Sequence, residues 1–358
     1  MKSPNLKGID FVEFYVADSY RTASFYKTLL GFNIIAYGGP ETGLSGKKSY
    51  IIQQGTIRFV LSSPLDLYSS IHQHVIAHGD GVKDVAFVSN DIETDFKIAI
   101  QNGAHSVLSP FEIEDKGLRM RIATIASFGD TIHTFIQREN TEGWFLPFYR
   151  PLENDKCFTD AGLLGIDHIA IALEKGQLNI WKEFYQNAFG LQLTHKEDVY
   201  TEYSGMNSLV MSNTTGTIKF PLVEPAQGAK KSQIDYYLDS YGCAGVQHIA
   251  FLSSNIIKTA QNLTDNGLQF LDIPTTYYDD ISEVISSQYS EKLPIIKDLG
   301  ILIDTDQKGV LMQIFSKPLQ NRSTFFIEII QRDNREGFGS NNIKALFEAI
   351  EREQQGLV

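Results

Sequence analysis

The C-terminal half of the sequence contains three residues of the types that bind a divalent metal ion. His168 and His248 offer imidazoles, Glu328 offers a carboxylate, and the three are evenly spaced along the chain. Two imidazoles and one carboxylate form the donor set that holds Fe(II) on one face and leaves the remaining coordination positions open. All three lie in apolar stretches, where an unpaired carboxylate is costly to bury. One divalent cation would give all three groups a partner.

These residues stand out because the chain repeats itself once. Each repeat opens with Gly-Ile-Asp, continues through an alternating apolar stretch and a helical stretch with Phe-Tyr, and ends at a glycine, which is typical of a strand followed by a helix. The paired segments are 8–32 with 165–191, 81–92 with 245–256, and 133–138 with 327–332.

Aligning the two copies by their strands shows where they differ. The paired positions are Phe11 with His168, Asp84 with His248, and Thr134 with Glu328. The first copy therefore lacks both imidazoles and cannot assemble the same donor set. We predict one metal ion, bound by the C-terminal half.

The repeat also predicts the architecture. The glycine–strand–helix theme recurs inside each half, so each half is expected to be a curved mixed sheet made of two βαβββ units, in an α+β protein with two open barrels in tandem. We assign residues 1–140 to a metal-free N-terminal domain, 141–163 to a linker, and 164–358 to the metal-binding domain. Within the last, residues 341–354 show an apolar face at helical spacing and predict an amphipathic C-terminal helix. Such modules resemble the vicinal oxygen chelate superfamily.

Composition excludes several classes of protein. A chain of 358 residues suits two domains, and its formal net charge of −12 disfavours nucleic acid and anionic membranes as partners. No run approaches the roughly 18 apolar residues of a membrane helix, and the N-terminus lacks the pattern of a signal peptide. Two cysteines, Cys157 and Cys243, make no disulfide framework. We expect a cytoplasmic protein.

Three other histidines lie close together in the first half. His72, His74 and His78 have a spacing of i, i+2 and i+6, which does not put all three on one helix face. We interpret them as surface or capping groups.

Seven ordered blocks carry a resemblance to a known family. They read GIDHIAIAL, SGMNSLVMSN, KSQIDYYL, GVQHIAF, LMQIFSKPL, FFIEIIQR and GFGSNNIKALFEAIE, and they span essentially the whole C-terminal half. The chain resembles the 4-hydroxyphenylpyruvate dioxygenase family, which includes the 4-hydroxymandelate synthases. The resemblance implies an Fe(II) enzyme of 4-hydroxyphenylpyruvate and O₂, with His168, His248 and Glu328 as ligands.

By the same resemblance a set of polar and apolar residues lines the substrate pocket. They are Ser208, Val223, Gln233, Gln247, Gln313, Phe315, Phe326, Phe338, Asn342 and Ile343. The amides of Gln233, Gln247 and Gln313 are suited to orienting the phenol or a bound water, and are interpreted as catalytic. Phe315 and Phe338 are suited to holding the ring between them. The C-terminal helix would close the pocket as a lid.

Two positions depart from the usual pattern of the dioxygenases. Val223 stands where they generally carry Asn, and Ile343 stands where they carry Phe after the lid asparagine. Both departures resemble the mandelate synthases, whereas the surrounding blocks KSQID, LMQIFSKPL and FEAIERE resemble the dioxygenases. The expected product is therefore homogentisate, as in tyrosine and phenylalanine catabolism, with 4-hydroxymandelate as the alternative. Another enzyme of the superfamily and a binding module without catalysis also stay open. A homo-oligomer is expected, with the metal-free half as the natural contact surface.

Overall fold

The structure is a computed structural model that describes residues 3–139, 146–152, 161–281, 287–305, 309–320, 322–335 and 337–354. The described residues form two mixed sheets, one in each half of the chain, with helices packed against them.

The first half supplies the first sheet. Its elements are β1 (Ile9–Tyr15), α1 (Ser19–Leu30), β2 (Asn33–Gly38), a short 3₁₀ helix (Pro40–Thr42), β3 (Lys47–Gln54), β4 (Ile57–Pro64), α2 (Ser70–His78), β5 (Gly81–Val88), α3 (Ile92–Gln101), β6 (Ser106–Asp115), β7 (Leu118–Ala126), β8 (Ile132–Arg138) and β9 (Arg150–Pro151).

The second half repeats this order with additional helices before its last strands. Its elements are β10 (Gly165–Ala172), α4 (Leu178–Phe189), β11 (Gln192–Tyr200), β12 (Gly205–Ser212), β13 (Lys219–Pro225), α5 (Gln233–Tyr241), β14 (Gly245–Leu252), α6 (Ile256–Asp265), α7 (Thr275–Ile281), α8 (Ser287–Ser290), α9 (Leu293–Leu299), β15 (Leu302–Thr305), β16 (Val310–Phe315), β17 (Phe326–Asp333) and α10 (Ser340–Gln354).

Sheet topology confirms the predicted fold class. The strand orders of the described residues are β6-β7-β8-β5-β1-β4-β3-β2-β9 and β11-β12-β13-β10-β14-β17-β16-β15. Each sheet is centred on an antiparallel pair, β1 with β5 and β10 with β14. Each central strand also pairs in parallel with the last strand of its own unit. Every half therefore contains two βαβββ units, as the repeat predicts.

Helix ends follow local sequence signals. Helix α1 begins after Asp18, whose carboxylate accepts hydrogen bonds from two backbone N–H groups of the first turn, and ends at Gly31 with a φ of 74°. Helix α5 begins at a capping box formed by Ser232 and Asp235. Its counterpart α2 begins after Ser69. The two helices join the two units of their respective halves and lie against each other.

The main hydrophobic core lies between the two halves rather than inside either barrel. The side chains of Phe59 and Phe251 meet there with ring centroids 6.0 Å apart, and those of Phe87 and Phe220 meet at 6.1 Å. All four rings are essentially inaccessible to solvent. The outer faces of the two sheets therefore pack against each other. Burial of large aromatic rings stabilises this contact and holds the two halves together.

The segment predicted as a linker is partly a strand. In its described portion, Arg150 and Pro151 form β9, which pairs with Ala36 and Tyr37 at the edge of the first sheet. The last helix, predicted over residues 341–354, begins one residue earlier, at Ser340. Among the described residues, no helix combines the length and apolar composition that crossing a bilayer requires.

Candidate metal centre and substrate pocket

The three residues singled out from the sequence lie on three adjacent strands of the second sheet. His168 is on β10, His248 on β14 and Glu328 on β17. The Nε2 atom of His168 lies 3.2 Å from Oε2 of Glu328, and that of His248 lies 3.6 Å from the same oxygen. Potential ligand atoms of the three residues all lie within 4.8 Å of one another. The strand register thus brings together side chains that are far apart along the chain.

The chemistry of these groups fits a divalent transition metal. Nδ1 of His168 hydrogen-bonds to Asp167 at 2.9 Å, and Nδ1 of His248 lies 3.2 Å from Oε1 of Gln247. With Nδ1 engaged, each Nε2 can present a lone pair to a cation that also contacts the carboxylate of Glu328, which is 1% exposed. A hydrogen bond to the other ring nitrogen fixes the tautomer of a ligating imidazole. Two neutral imidazoles and one carboxylate are the donors of a facial Fe(II) site.

The protonation of the two imidazoles differs without a metal. Burial lowers the pKa of His168, but the charge of Glu328 and the hydrogen bond to Asp167 outweigh it and raise that pKa above its ordinary value. Burial, reinforced by the charge of His168, holds the pKa of His248 well below its ordinary value. The contacts of His168 therefore favour a proton on its ring more than those of His248 do, and a bound cation would displace such a proton because a ligating imidazole is neutral.

Asp167 connects the centre to the segment before the last helix. Its carboxylate accepts hydrogen bonds from Arg332 through Nε at 2.8 Å and Nη2 at 2.9 Å. Nη1 of Arg332 donates to the carbonyl oxygen of Gly337 at 2.5 Å, and its guanidinium lies 5.2 Å from the ring centroid of Phe338. The Phe338 ring in turn lies 5.1 Å from the ring of His168. Arg332 thus contacts both Asp167, which holds the ring of His168, and the segment that leads into α10.

A second chain of hydrogen bonds joins Glu328 to α10 itself. Gln313 donates from Nε2 to Oε1 of Glu328 at 2.9 Å and accepts from Nδ2 of Asn342 at 2.8 Å. The hydroxyl of Tyr277 lies 2.8 Å from Oδ1 of Asn342 and also contacts the backbone of Ile303. Asn342 is fully buried and Gln313 is 2% exposed. These amides fix the last helix against the candidate centre.

A cavity opens beside the three candidate ligands. The residues predicted to line the pocket all do so except Asn342: they are Ser208, Val223, Gln233, Gln247, Gln313, Phe315, Phe326, Phe338 and Ile343. Asn342 instead lies behind Gln313, which it orients. Phe326 stacks on His248 with ring centroids 4.8 Å apart and an interplanar angle of 24°.

Sequence reasoning missed other residues of the lining. They are Glu197, Met206, Val210, Pro221, Leu346 and Phe347. Glu197 on β11 faces Ser208 across the β11–β12 pair, so the period-2 alternation of that strand is the signal that would have found it. Leu346 and Phe347 lie on the apolar face of α10 that was recognised as amphipathic. They show that this helix forms a wall of the cavity.

The expectation for the histidines of the first half is wrong for two of them. His74 is buried and His78 is half-buried, and both contact Asp130. Helix α2 places them one turn apart on the same face because they are separated by four positions. The three histidines together do not share a helix face, but the interval of four positions between His74 and His78 predicts that these two do.

Comparisons with known proteins agree with the geometry. Residues 2–148 match the family described as hydroxyphenylpyruvate dioxygenase, N-terminal, and residues 165–314 match the glyoxalase/bleomycin resistance protein/dioxygenase superfamily. A 4-hydroxyphenylpyruvate dioxygenase of Aspergillus fumigatus is 41% identical, over 97% of this chain and 93% of its own length. The Xenopus tropicalis enzyme of the same name is 43% identical, over 95% and 90%.

A solved structure matches almost the entire chain. It is a triple mutant of 4-hydroxymandelate synthase from Streptomyces coelicolor, with a TM-score of 0.89, 33% identity, and coverage of 98% of this chain and 99% of the other. Relatives at this identity over nearly the full length share the fold and the family. The chain belongs to the 4-hydroxyphenylpyruvate dioxygenase family.

Proposed function

We propose that this protein is an Fe(II) dioxygenase that converts 4-hydroxyphenylpyruvate and O₂ to homogentisate and CO₂. The observation that carries the proposal is the convergence of His168, His248 and Glu328 at the wall of a cavity lined by glutamines and aromatic rings. The names of the curated relatives supply the substrate.

The cavity is suited to a flat, amphipathic acid. The side chains of Phe315, Phe326 and Phe338 offer apolar surface to an aromatic ring. Gln233 and Gln247 add amide donors and acceptors, which can orient a phenol or carboxylate without introducing a charge. When bound, the Fe(II) ion would supply the chelation of the 2-oxo acid and the activation of O₂.

The last helix contributes by excluding water. Ile343, Leu346 and Phe347 face the cavity from α10, and Asn342 fastens the helix to Gln313. A closed, apolar wall protects a reactive oxidant from solvent and from unproductive reduction. This wall distinguishes the proposal from a binding module, which would need no such protection, and from a glyoxalase.

A second candidate product rests on a specific observation. Val223 and Ile343 both line the cavity and belong to the same apolar cluster, so two aliphatic side chains stand beside the substrate site. The structural match to a 4-hydroxymandelate synthase supports this alternative. The same substrate oxidised at its benzylic carbon gives 4-hydroxymandelate, an isomer of homogentisate that is formed with the same loss of CO₂.

The test is to strip the purified protein of metal, reload it with Fe(II), and add 4-hydroxyphenylpyruvate. We expect uptake of O₂ matched by release of CO₂, and neither with a Glu328→Gln variant that retains its fold. Chromatography then identifies the product, since the two isomers have equal mass. No uptake by the loaded protein would exclude the dioxygenase function.

We also propose a homo-oligomer that associates through the first half. Leu67 and Tyr68, in the segment before α2, are 69% and 90% exposed, and Ile76 on that helix is 63% exposed. Val107 and Phe111 add exposed apolar surface on β6, an edge strand of the first sheet. Exposed apolar surface of this kind is typical of subunit contacts. The molar mass measured by light scattering tests the proposal.

A further inference from the structure

A second cluster of metal-binding side chains lies where α2 meets α5, outside the catalytic centre. His74 and His78 project from one face of α2, and Asp130 lies in the turn between β7 and β8. Nδ1 of His74 is 2.7 Å from Oδ2 of Asp130, and Nε2 of His78 is 3.6 Å from the same oxygen. Potential ligand atoms of the three residues lie within 4.8 Å of one another.

This arrangement repeats the geometry of the catalytic centre. In both places two imidazole nitrogens converge on a single carboxylate oxygen, at 3.2 and 3.6 Å for Glu328 and at 2.7 and 3.6 Å for Asp130. Two histidines and a carboxylate suit Zn²⁺, Ni²⁺ and Cu²⁺ as well as Fe(II). Within the described residues, these two clusters are the ones whose ligand atoms are close enough to share an ion.

The orientation of His78 is that of a metal ligand. Its Nδ1 lies 2.6 Å from the carbonyl oxygen of Tyr241, and only a protonated Nδ1 can donate to a carbonyl. The neutral ring therefore carries its lone pair on Nε2, which faces Asp130. A ligating histidine commonly donates its other ring N–H to a backbone carbonyl in this way. The Tyr241 ring stacks on His78 with centroids 4.6 Å apart and holds the imidazole plane.

One oxygen of the cluster has no hydrogen-bond partner among the described residues. It is Oδ1 of Asp130, which is buried. A buried acceptor without a partner is costly, so the cluster gains from an additional cation or water. The side chain of Asp130 is 33% exposed, which leaves a route for an ion from solvent.

Lys83 is the group that opposes a metal here. Its ammonium lies 3.3 Å from Oδ2 of Asp130 and also donates a hydrogen bond to the Asp130 carbonyl oxygen. A divalent ion bound by the same carboxylate is repelled by this charge unless the lysine side chain moves toward solvent. Removing the ammonium should therefore strengthen metal binding, which makes Lys83 a sharp test of the site.

We propose that His74, His78 and Asp130 form a second site for a divalent transition metal of the Zn²⁺ class, in competition with Lys83. The site joins α2 to the β7–β8 turn and, through the bond of His78 to Tyr241, touches the second half of the chain. Three protein donors leave at least one position to water.

Zinc alone, added to metal-free full-length protein, tests the site by equilibrium dialysis. We expect two Zn²⁺ ions per chain for the wild type and one for His78→Asn and Asp130→Asn. Lys83→Met should bind the second ion more tightly, on the order of tenfold, because a like charge is gone. His72→Asn on the same helix is the matched control and should retain two ions.

Variants that disable the catalytic centre identify which ion is lost. With His248→Ala the ion that remains should be the one that Lys83→Met tightens and Asp130→Asn abolishes. If the wild type and Lys83→Met both bind a single Zn²⁺ ion, or if Asp130→Asn still binds two, the second site does not exist. The gain in affinity with Lys83→Met does not depend on any variant that removes a buried ligand.

Discussion

Asp84 and Thr134 hydrogen-bond to each other in the first sheet, at the positions that His248 and Glu328 occupy in the second. The backbone N–H of Thr134 donates to Oδ1 of Asp84 at 3.0 Å, and its hydroxyl donates to Oδ2. Strand register makes the correspondence firm, because β5 pairs with β8 as β14 pairs with β17. The first barrel therefore has a direct polar contact at its centre, where the second brings candidate metal ligands together.

This contact predicts an unusual dependence of stability on pH. Burial, with the charge of Glu13, raises the pKa of Asp84 to about 7 despite the hydrogen bonds from Thr134. The folded chain then binds a proton that the unfolded chain loses above about pH 4, so stability falls as pH rises from about 4 to 7. Asp84→Asn mimics the protonated acid and removes this penalty.

The difference in unfolding free energy between Asp84→Asn and the wild type should grow across that window and level off above it. Each pKa unit is worth about 1.4 kcal/mol, so the plateau is a few kcal/mol in favour of the variant. Denaturant unfolding at several pH values measures it. The exposed Asp265→Asn change should show no such trend, and a constant difference for Asp84→Asn would contradict the role assigned to burial.

The same correspondence shows how far the sequence alone leads. Phe11 in the first copy and His168 in the second occupy the same strand position. Comparing the copies therefore identifies His168 as a candidate ligand without any knowledge of the fold, because both copies pair their strands in the same register. Fold class and the convergence of the three candidate ligands follow from that register.

Other features depend on packing between elements, and sequence periodicity does not predict them. The position of Asn342 behind Gln313 depends on how α10 docks, and helix periodicity gives the apolar face but not the docking angle. The contact of His74 with Asp130 joins a helix to a turn 56 positions away in the chain. Nothing in the local spacing of either residue specifies such a contact.

The bond between Arg332 and Asp167 predicts a loss of metal affinity when it is broken. Arg332→Gln removes the two hydrogen bonds that Arg332 donates to Asp167 and leaves the one from Lys219, so His168 is held less firmly. Loss of such a supporting contact typically weakens metal affinity by about 10- to 100-fold. Arg332→Lys should be intermediate, since one ammonium cannot make two parallel bonds. Titration of the apo proteins with Co²⁺ measures the affinity.

Arg332→Gln should also loosen the segment before α10, because the donor to Gly337 is lost with it. Faster amide hydrogen exchange in residues 337–347 of the metal-free protein would show this directly. The half-exposed Arg119→Gln change is a control for the loss of one positive charge. Wild-type affinity and exchange in Arg332→Gln would contradict the coupling.

Closure of the last helix is predicted to depend on one hydroxyl group. Tyr277→Phe removes the hydroxyl that donates a hydrogen bond to Oδ1 of the buried Asn342, at a cost of about 1–3 kcal/mol to the docked helix. We expect KM for 4-hydroxyphenylpyruvate to rise by about 5- to 100-fold, with a smaller effect on kcat, and exchange in α10 to accelerate.

The neighbouring tyrosine provides a matched control. Tyr278 is buried, but its hydroxyl has no hydrogen-bond partner among the described residues. Tyr278→Phe therefore removes the same atom without breaking a bond and should leave KM and exchange unchanged. Equal effects of the two changes would show that the link from Tyr277 to Asn342 does not hold the helix.

The last prediction concerns the choice of product. Val223 and Ile343 give the cavity two aliphatic side chains, and a displacement of about 1 Å at the reacting carbon is enough to redirect an oxidation. We expect the wild type to form mainly homogentisate with a measurable fraction of 4-hydroxymandelate.

The double change of Val223→Asn and Ile343→Phe should raise the ratio of homogentisate to 4-hydroxymandelate by about tenfold, which corresponds to about 1.4 kcal/mol between competing barriers. Ile343→Leu keeps the aliphatic character and should leave the ratio near that of the wild type. Chromatography of the products under O₂-saturated turnover measures both, and a ratio that the double change does not move would remove these two residues from the control of the reaction.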